Sequence, residues 1–471
     1  MKNPRKHLSE SWQKRKTNPK CAGRKNTDFG ILPKSVFLSI FLLIFNTIYV
    51  IITHIILIPH FLRMDLLRMN IAILGFGVVG RGVADLLAEN KLESTRLAGE
   101  EINLKYILDL RDFPGTPYEA LVTHNFADIL EDSSVECIIE TMGGSHPAYE
   151  YTAEALRRGK HVITSNKEVV ANYGDEFLRI AKDTGASYRF EAAVGGGIPV
   201  IAPLIGFLKQ NKLTEVRGIL NGTTNYILTK MFTYSDSFED SLKDAQARGY
   251  AERNPDADVL GTDAARKIAI LAALATGRIA PVDNIHTEGI LNIRREDVML
   301  SKSLGYSIKL LGRCVISEDE VQILVAPHLI ANDFILSGVS GVYNAIEVIG
   351  EPLGNVVFYG KGAGAGATAS AVVGDIMQTA RCGSFAAMPE FLRDEDLGTH
   401  FSDFESESYI ALGNTTKAAV KDVFGQVKIL SEGEEVIFLT EKAEREADLE
   451  KKLEELTASG ALLLSRIRVL K

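Results

Sequence analysis

From Asn70 onward the chain alternates short apolar runs with amphipathic stretches, the rhythm of strands feeding helices in an α/β protein. Residues 71–74 (IAIL) have the length of a strand buried in a parallel sheet, and a helical pattern through Val83, Leu86 and Leu87 follows. Further strands are expected at residues 104–108, 136–140 and 161–164. The last two end in the polar turns Thr141-Met142-Gly143-Gly144 and Ser165-Asn166-Lys167. In an open α/β sheet such carboxyl ends face the ligand crevice. A strand at 216–220 then leads into the polar cluster Asn221-Gly222-Thr223-Thr224-Asn225-Tyr226 and a helix-like stretch at 227–232, and 263–274 has the spacing of an Ala-rich helix. Near the end, strands at 409–412, 428–430, 436–439 and 462–469 with helical patterns at 417–424 and 442–456 spell out βαββαβ.

One run fits neither rhythm. Residues 36–58 (VFLSIFLLIFNTIYVIITHIILI) are 23 positions without a formally charged side chain, and about 20 apolar residues suffice to cross a bilayer as a helix. Residues 1–34 hold ten Lys or Arg against Glu10 and Asp28, a basic flank that would keep the N-terminus in the cytoplasm. The run is longer than a signal-peptide core and no small-residue cleavage site follows it. It reads as a single-pass membrane anchor or, alternatively, as sequence upstream of a start at Met64 or Met69, Met69 standing two residues before IAIL. The run lacks the Gly and Ala of packed membrane helices. The second reading is the expected one and implies a cytoplasmic protein.

Length and charge sharpen the picture. A chain of 471 residues allows two to four domains. The expected division is an extension at 1–68, a nucleotide-binding domain at 69–200, a substrate and dimerisation domain at 201–392, and a small domain at 393–471 entered through a charged linker at 393–406. The net charge is −9, and residues 69–471 taken alone carry −18, which excludes a general nucleic-acid binder. Cys21, Cys137, Cys314 and Cys382 show no CxxC spacing, so free thiols in a reducing compartment are expected.

Three segments carry candidate chemistry. Gly75-Phe76-Gly77-Val78-Val79-Gly80 sits between strand and helix, where the first glycine permits a tight turn, the second lets backbone approach a pyrophosphate and the third lets helix and strand pack closely. After the second strand, Asp109 and Arg111 compete for the position that selects the cofactor: a carboxylate would bind the ribose hydroxyls of NAD, an arginine the extra phosphate of NADP. Residues 245–267 (AQARGYAERNPDADVLGTDAARK) gather Glu252, Asp256, Asp258 and Asp263, a set able to bind an ammonium group. They also put Asp263 and Lys267 at i and i+4 on one helical face. That pair is either an ordinary helix ion pair or, beside a nicotinamide, a lysine held ready to give a proton to an oxygen on which charge develops.

The ordered set GFGVVG, ETMGG, TSNK, FEAAVGGGIP, NGTTNYI, GYAERNPDADVLGTDAARK and YGKGAGAGATASAVVGD closely resembles homoserine dehydrogenase over residues 70–376. The resemblance implies a Rossmann-type doubly wound parallel sheet, an α+β substrate and dimerisation domain, and a small ACT-like C-terminal domain. It implies Lys267 as proton donor to an aldehyde oxygen, Asp263 as its partner, Lys167 as a second active-site lysine, and Glu252 and Asp258 near the substrate's amino group. Cofactor contacts would fall at Gly75, Phe76, Gly77, Val78, Val79, Gly80, Arg111, Thr141, Lys167 and Gly364. A sodium ion would be held by oxygens of Glu191, Val194, Gly196 and Ile198, the last three backbone carbonyls. The implied reaction is reversible NAD- or NADP-dependent hydride transfer between L-homoserine and L-aspartate 4-semialdehyde, on the route to threonine, methionine and isoleucine, in a homodimer or homotetramer. Two departures stand out. Arg253 replaces a small residue or Pro, and Gly413-Asn414-Thr415-Thr416 stands where ACT regulatory domains carry an acidic, Pro-Gly-containing turn, so strong inhibition by threonine is not expected. The contrasting reading is a membrane-tethered nucleotide sensor, which has no need of Lys267 and its carboxylates.

Overall fold

The computed structural model describes residues 68–318, 320–383 and 388–471. The run at 36–58, Met64 and Cys21 lie outside them. Among the described residues no helix is long and apolar enough to cross a membrane.

The first sheet contains β1 (Arg68–Leu74), β2 (Glu101–Leu108), β3 (Val122–Thr123), β4 (Val135–Glu140), β5 (His161–Thr164) and β6 (Tyr188–Arg189). They lie in the order β3-β2-β1-β4-β5-β6 with every pairing parallel. This is the doubly wound arrangement, and the strand order reverses between β1 and β4, where a ligand crevice opens. Ile71, Ala72, Ile73 and Leu74 are fully buried, as both faces of a parallel strand require. The helix Val78–Glu89 buries Val83 and Leu87 against this sheet. The helix Lys167–Thr184 begins at Asn166, whose side chain accepts from the N–H groups of Glu168 and Val169. Strands β3 and β6, two residues each, carry no periodicity a sequence could display; they exist because a sheet edge is there to pair with.

The second sheet is assembled from β7 (Lys212–Ile219), β9 (His286–Thr287), β10 (Tyr306–Ile316), β11 (Val321–Ala331), β12 (Tyr343–Glu351), β13 (Gly354–Lys361), β15 (Glu405–Gly413), β16 (Val427–Glu432), β17 (Glu435–Thr440), β18 (Glu444–Arg445) and β19 (Leu462–Leu470); the short β8 (Arg278–Ile279) and β14 (Leu392–Arg393) pair with each other. Its path is β13-β12-β7-β10-β11-β19-β15-β17-β16, with β9 beside β11 and β18 beside β15. The Ala-rich helix Thr262–Thr276 lies against it. A Cβ at Gly312 would stand 3.1 Å from the Cβ of Ile268, so glycine at this point of β10 lets the helix settle close to the strand.

The C-terminal βαββαβ unit forms as the pattern predicts, with helices Lys417–Phe424 and Glu446–Ala458 and the strand order β19-β15-β17-β16 of a ferredoxin-like module. It is not a separate body. Strand β19 pairs in parallel with β11, so one sheet runs through both parts. Within the expected linker at 393–406, Arg393 is paired with Asp175 at 2.7 Å, Asp394 with Arg278, and Glu405 and Ser406 already belong to β15 opposite Arg445 and Glu444. Arg393, Asp394 and Asp403 are ion-paired, whereas Glu395, Asp396 and Glu405 are exposed. Cys137 and Cys314 are buried free thiols and Cys382 an exposed one.

Candidate active site

The crevice between β1 and β4 is shaped by glycine. Gly75 has φ +87°, and a Cβ there would stand 2.9 Å from Met142 Cγ. At Gly80 a Cβ would fall 2.1 Å from the Gly75 carbonyl oxygen, so helix and strand touch backbone to backbone. Gly77 caps the helix Val78–Glu89 without a side-chain bond, and a Cβ on it would meet nothing within 4 Å. The first amides of that helix therefore face an open crevice with the positive end of the helix dipole. Thr141 donates from its hydroxyl to the Gly75 carbonyl at 2.7 Å. A second glycine-capped helix, Ala365–Cys382, starts at Gly364 (φ +116°) and also lacks a side-chain cap. It lies alongside the first, a Cβ at Gly82 standing 3.2 Å from that of Ala369.

The other expected cofactor residues take distinct positions. Val78 is exposed at the mouth of the crevice, whereas the Phe76 ring turns inward, edge-on to Phe113 and Tyr118. Asp109 and Arg111 do not compete; they are bonded to each other. The Asp109 carboxylate accepts from Arg111 Nε at 2.9 Å and from the Phe76 N–H at 2.7 Å. The Arg111 guanidinium, with that amide bond, holds the carboxyl at about 2 against a partial burial penalty. Arg111 also donates to the Phe76 carbonyl at 3.2 Å while its side chain stays mostly exposed.

The lysine and carboxylate residues converge at the carboxyl end of β7. Lys267 Nζ donates to Asp263 Oδ2 at 2.7 Å and to the Leu220 carbonyl at 2.8 Å. Lys167, at the first turn of its helix, approaches the other carboxylate oxygen of Asp263 at 3.0 Å. The result is a Lys167–Asp263–Lys267 chain joining the two sheets. Asp263 is almost fully buried; burial pushes its carboxyl up, but the charges of Lys267 and Lys167 and the hydrogen bonds from Lys267 and Asn221 prevail and hold it far below the usual carboxylate range. Asn221 donates to Asp263 at 2.8 Å and to Asp258 at 2.6 Å, while its carbonyl oxygen caps the helix Gly222–Tyr234. Asp258 is raised, first by burial and then by the Asp263 charge, partly offset by the Asn221 bond. Asn221 was legible only as part of a polar cluster; an asparagine between a strand end and a helix start was the signal of a cap that also reaches neighbouring carboxylates.

Glu252 does not join this group. Its backbone carbonyl is held by Gln246 at 3.1 Å, its side chain is exposed, and no described residue bonds it. The Glu191 carboxylate accepts three backbone N–H groups, from Val200 and Ile201 at 2.7 and 2.8 Å and from Ala202 at 2.6 Å. It is committed to the helix start that follows the glycine run. The carbonyl oxygens of Val194, Gly196 and Ile198, all buried residues, receive no hydrogen bond from described residues. Among the described residues no cluster of three or more His, Cys, Asp or Glu is placed to hold a metal. A cavity of about 120 Å³ lies beside Glu191, lined by Arg189, Ala202, Asp375 and Gln378, and no member of the lysine–carboxylate chain borders it.

A doubly wound sheet with two uncapped helix starts at its crevice, met by a lysine held by a buried carboxylate, defines an NAD(P)-dependent oxidoreductase. Comparison with known proteins makes this particular. Residues 75–191 match the family model "Homoserine dehydrogenase, NAD binding domain", and residues 199–377 match "Homoserine dehydrogenase". The homoserine dehydrogenases of Helicobacter pylori and Bacillus subtilis are 42% and 38% identical over 301 residues each, covering 64% and 63% of this chain and 70% and 69% of theirs. A crystal structure of homoserine dehydrogenase from Thiobacillus denitrificans superimposes with a TM-score of 0.79 at 32% identity, over 86% of this chain and 99% of that one. A hyperthermophilic archaeal homoserine dehydrogenase mutant, solved in complex with NADPH, reaches 0.57 at 29% identity over 66% of this chain and 97% of its own. The chain belongs to the homoserine dehydrogenase family.

Proposed function

We propose that the protein interconverts L-homoserine and L-aspartate 4-semialdehyde by reversible hydride transfer, within the synthesis of threonine, methionine and isoleucine. The observation that carries this is the Lys167–Asp263–Lys267 chain at the end of β7, opposite the crevice of the parallel sheet. In the reducing direction the Lys267 ammonium donates a proton to the aldehyde oxygen as charge develops there. Asp263 and the Leu220 carbonyl hold that ammonium in one orientation, which limits the reorganisation left for the reaction itself. Lys167, drawn to the same carboxylate, adds positive charge next to the oxygen. Asp258 takes the substrate's ammonium group, with Glu252 at the exposed rim of the same loop. The nicotinamide, when bound, supplies or receives the hydride. Its phosphates would rest on the amides after Gly77 and Gly364, with Val78, Val79 and Thr141 along the wall. Because Asp109 is already bonded to Phe76 and Arg111, the outward-facing group at the ribose is the guanidinium, which favours NADP over NAD.

The buried carbonyls of Val194, Gly196 and Ile198 suit a hard cation such as sodium, and the Glu191 carboxylate, which accepts three amides, keeps one further acceptor site to complete the set. A cytoplasmic homodimer or homotetramer is the assembly expected of this reading. The deciding experiment is Lys267→Ala. Homoserine oxidation should fall by at least about a hundredfold, the contribution typical of a general acid or base, with NADPH binding preserved. Turnover within a few fold of wild type would remove Lys267 from the role.

A further inference from the structure

Asn344 is buried, at 1% exposure, yet both polar atoms of its carboxamide lack a hydrogen-bond partner among the described residues. A buried amide left unpaired costs roughly 1–3 kcal/mol, so such groups are rare and call for an explanation. The nearby Asn225, equally buried, shows the ordinary outcome: its amide nitrogen reaches the carbonyls of Val339, Gly341 and Tyr343 at 3.0–3.3 Å, and Lys309 donates to its oxygen.

The position of Asn344 is specific. On β12 it stands opposite Gly360 of β13, and its neighbour Ala345 stands opposite Ile219, the residue before the Leu220 carbonyl that holds Lys267. Its carboxamide lies directly against the glycine run that leads into helix Ala365–Cys382: a Cβ at Gly362 would fall 2.1 Å from Asn344 Cγ. On its other side, a Cβ at Gly222 would be 3.5 Å from Asn344 Oδ1. The N–H groups of Gly362, Ala363 and Gly364 donate to no described residue. An amide without partners therefore touches a turn whose three successive N–H groups also lack them, between the lysine end of the site and the second helix start at the cofactor crevice.

We propose that Asn344 is a positioning residue for the nicotinamide nucleotide: on cofactor binding the peptide units of residues 362–364 rotate, pair with the Asn344 carboxamide, and are held closed over the cofactor. This rests on the cofactor crevice described above and on no step of the chemistry. The test is direct titration of NADPH and NADH by fluorescence, without homoserine, together with thermal unfolding of the cofactor-free protein. Asn344→Leu, of similar shape but unable to pair, should raise the Kd for NADPH by at least about tenfold, the equivalent of about 1.4 kcal/mol. It should leave the cofactor-free Tm unchanged or higher, because it deletes an unpaired buried amide. A merely structural asparagine gives the opposite pattern. A Kd within about threefold of wild type overturns the proposal, whatever happens to Tm or to the KM for homoserine. Should the leucine variant not fold, Asn344→Ala carries the same expectation for Kd. A wild-type protein binding neither nucleotide would instead remove the crevice reading itself.

Discussion

Asp109 and Arg111 show how a single contact changes what a residue can do. As neighbours in sequence they offer opposite cofactor preferences; bonded to each other, they leave only the guanidinium outward. Arg111→Ala should raise the KM for NADP by at least about tenfold, as loss of a charged phosphate contact would, and change that for NAD far less; steady-state kinetics with both nucleotides decides it. Glu140, at the end of β4, gives a pH signature. Burial raises its carboxyl from the usual 4.5 to about 7, outweighing hydrogen bonds from Thr164, the Met142 amide and Asn166. The folded chain thus keeps this proton longer than the unfolded one, so the associated stability is complete below 4.5 and is lost as pH rises through about 7. Between pH 4 and 8 the stability difference should shift by about 3 kcal/mol in favour of Glu140→Gln, measured by denaturant unfolding across that range.

At the scale of elements, the glycine turn separates fold from binding. Gly80→Ala forces a methyl into the Gly75 carbonyl and should cost roughly 1–3 kcal/mol of stability, the range for overpacking. Gly77→Ala meets no neighbour and its φ of −82° suits any residue, so Tm should hold while NADPH affinity falls by at least about tenfold, because the new methyl occupies the phosphate approach. Thermal unfolding and nucleotide titration on both variants check the pair of outcomes. This turn was fully legible in the sequence, because each glycine answers a local steric demand. The Asp263–Lys267 pair was legible for the same reason, four residues apart on one helix. Lys167 was legible only as a polar residue after a strand, since its partner lies 96 positions away in the chain.

Across the whole molecule, the decisive feature is the joint between β11 and β19. Arg468, wholly buried, donates to Glu446 at 3.0 Å and to Glu288 at 2.8 Å, tying the C-terminal module to the residue that directly follows β9. Arg468→Met removes the cation that Glu446 and Glu288 share, leaving Glu446 to Arg466 and Glu288 to His286, and should destabilise by roughly 3 kcal/mol, the low end of the cost of breaking a buried ion pair. Calorimetry of the wild type should show the module and the central sheet unfolding in one transition. An ACT-like unit fixed by one edge in this way, and carrying Asn414 rather than an acidic turn, is expected to give no threonine inhibition below millimolar concentration, checked by dose dependence of the homoserine oxidation rate.

What the sequence determined by itself was whatever is encoded over a few residues: the parallel strands, the glycine turn, the i, i+4 pair and the βαββαβ order, since sterics and periodicity act locally. Only the tertiary structure decided that Asp109 serves Arg111, that the Glu191 carboxylate caps a helix, that Glu252 faces outward, and that Arg393, Asp394 and Asp403 find ion-pair partners. For Asp109 and Glu191 the carboxylate had several possible partners along the chain. Burial made leaving it unpaired too costly, and packing settled which partner stood within reach.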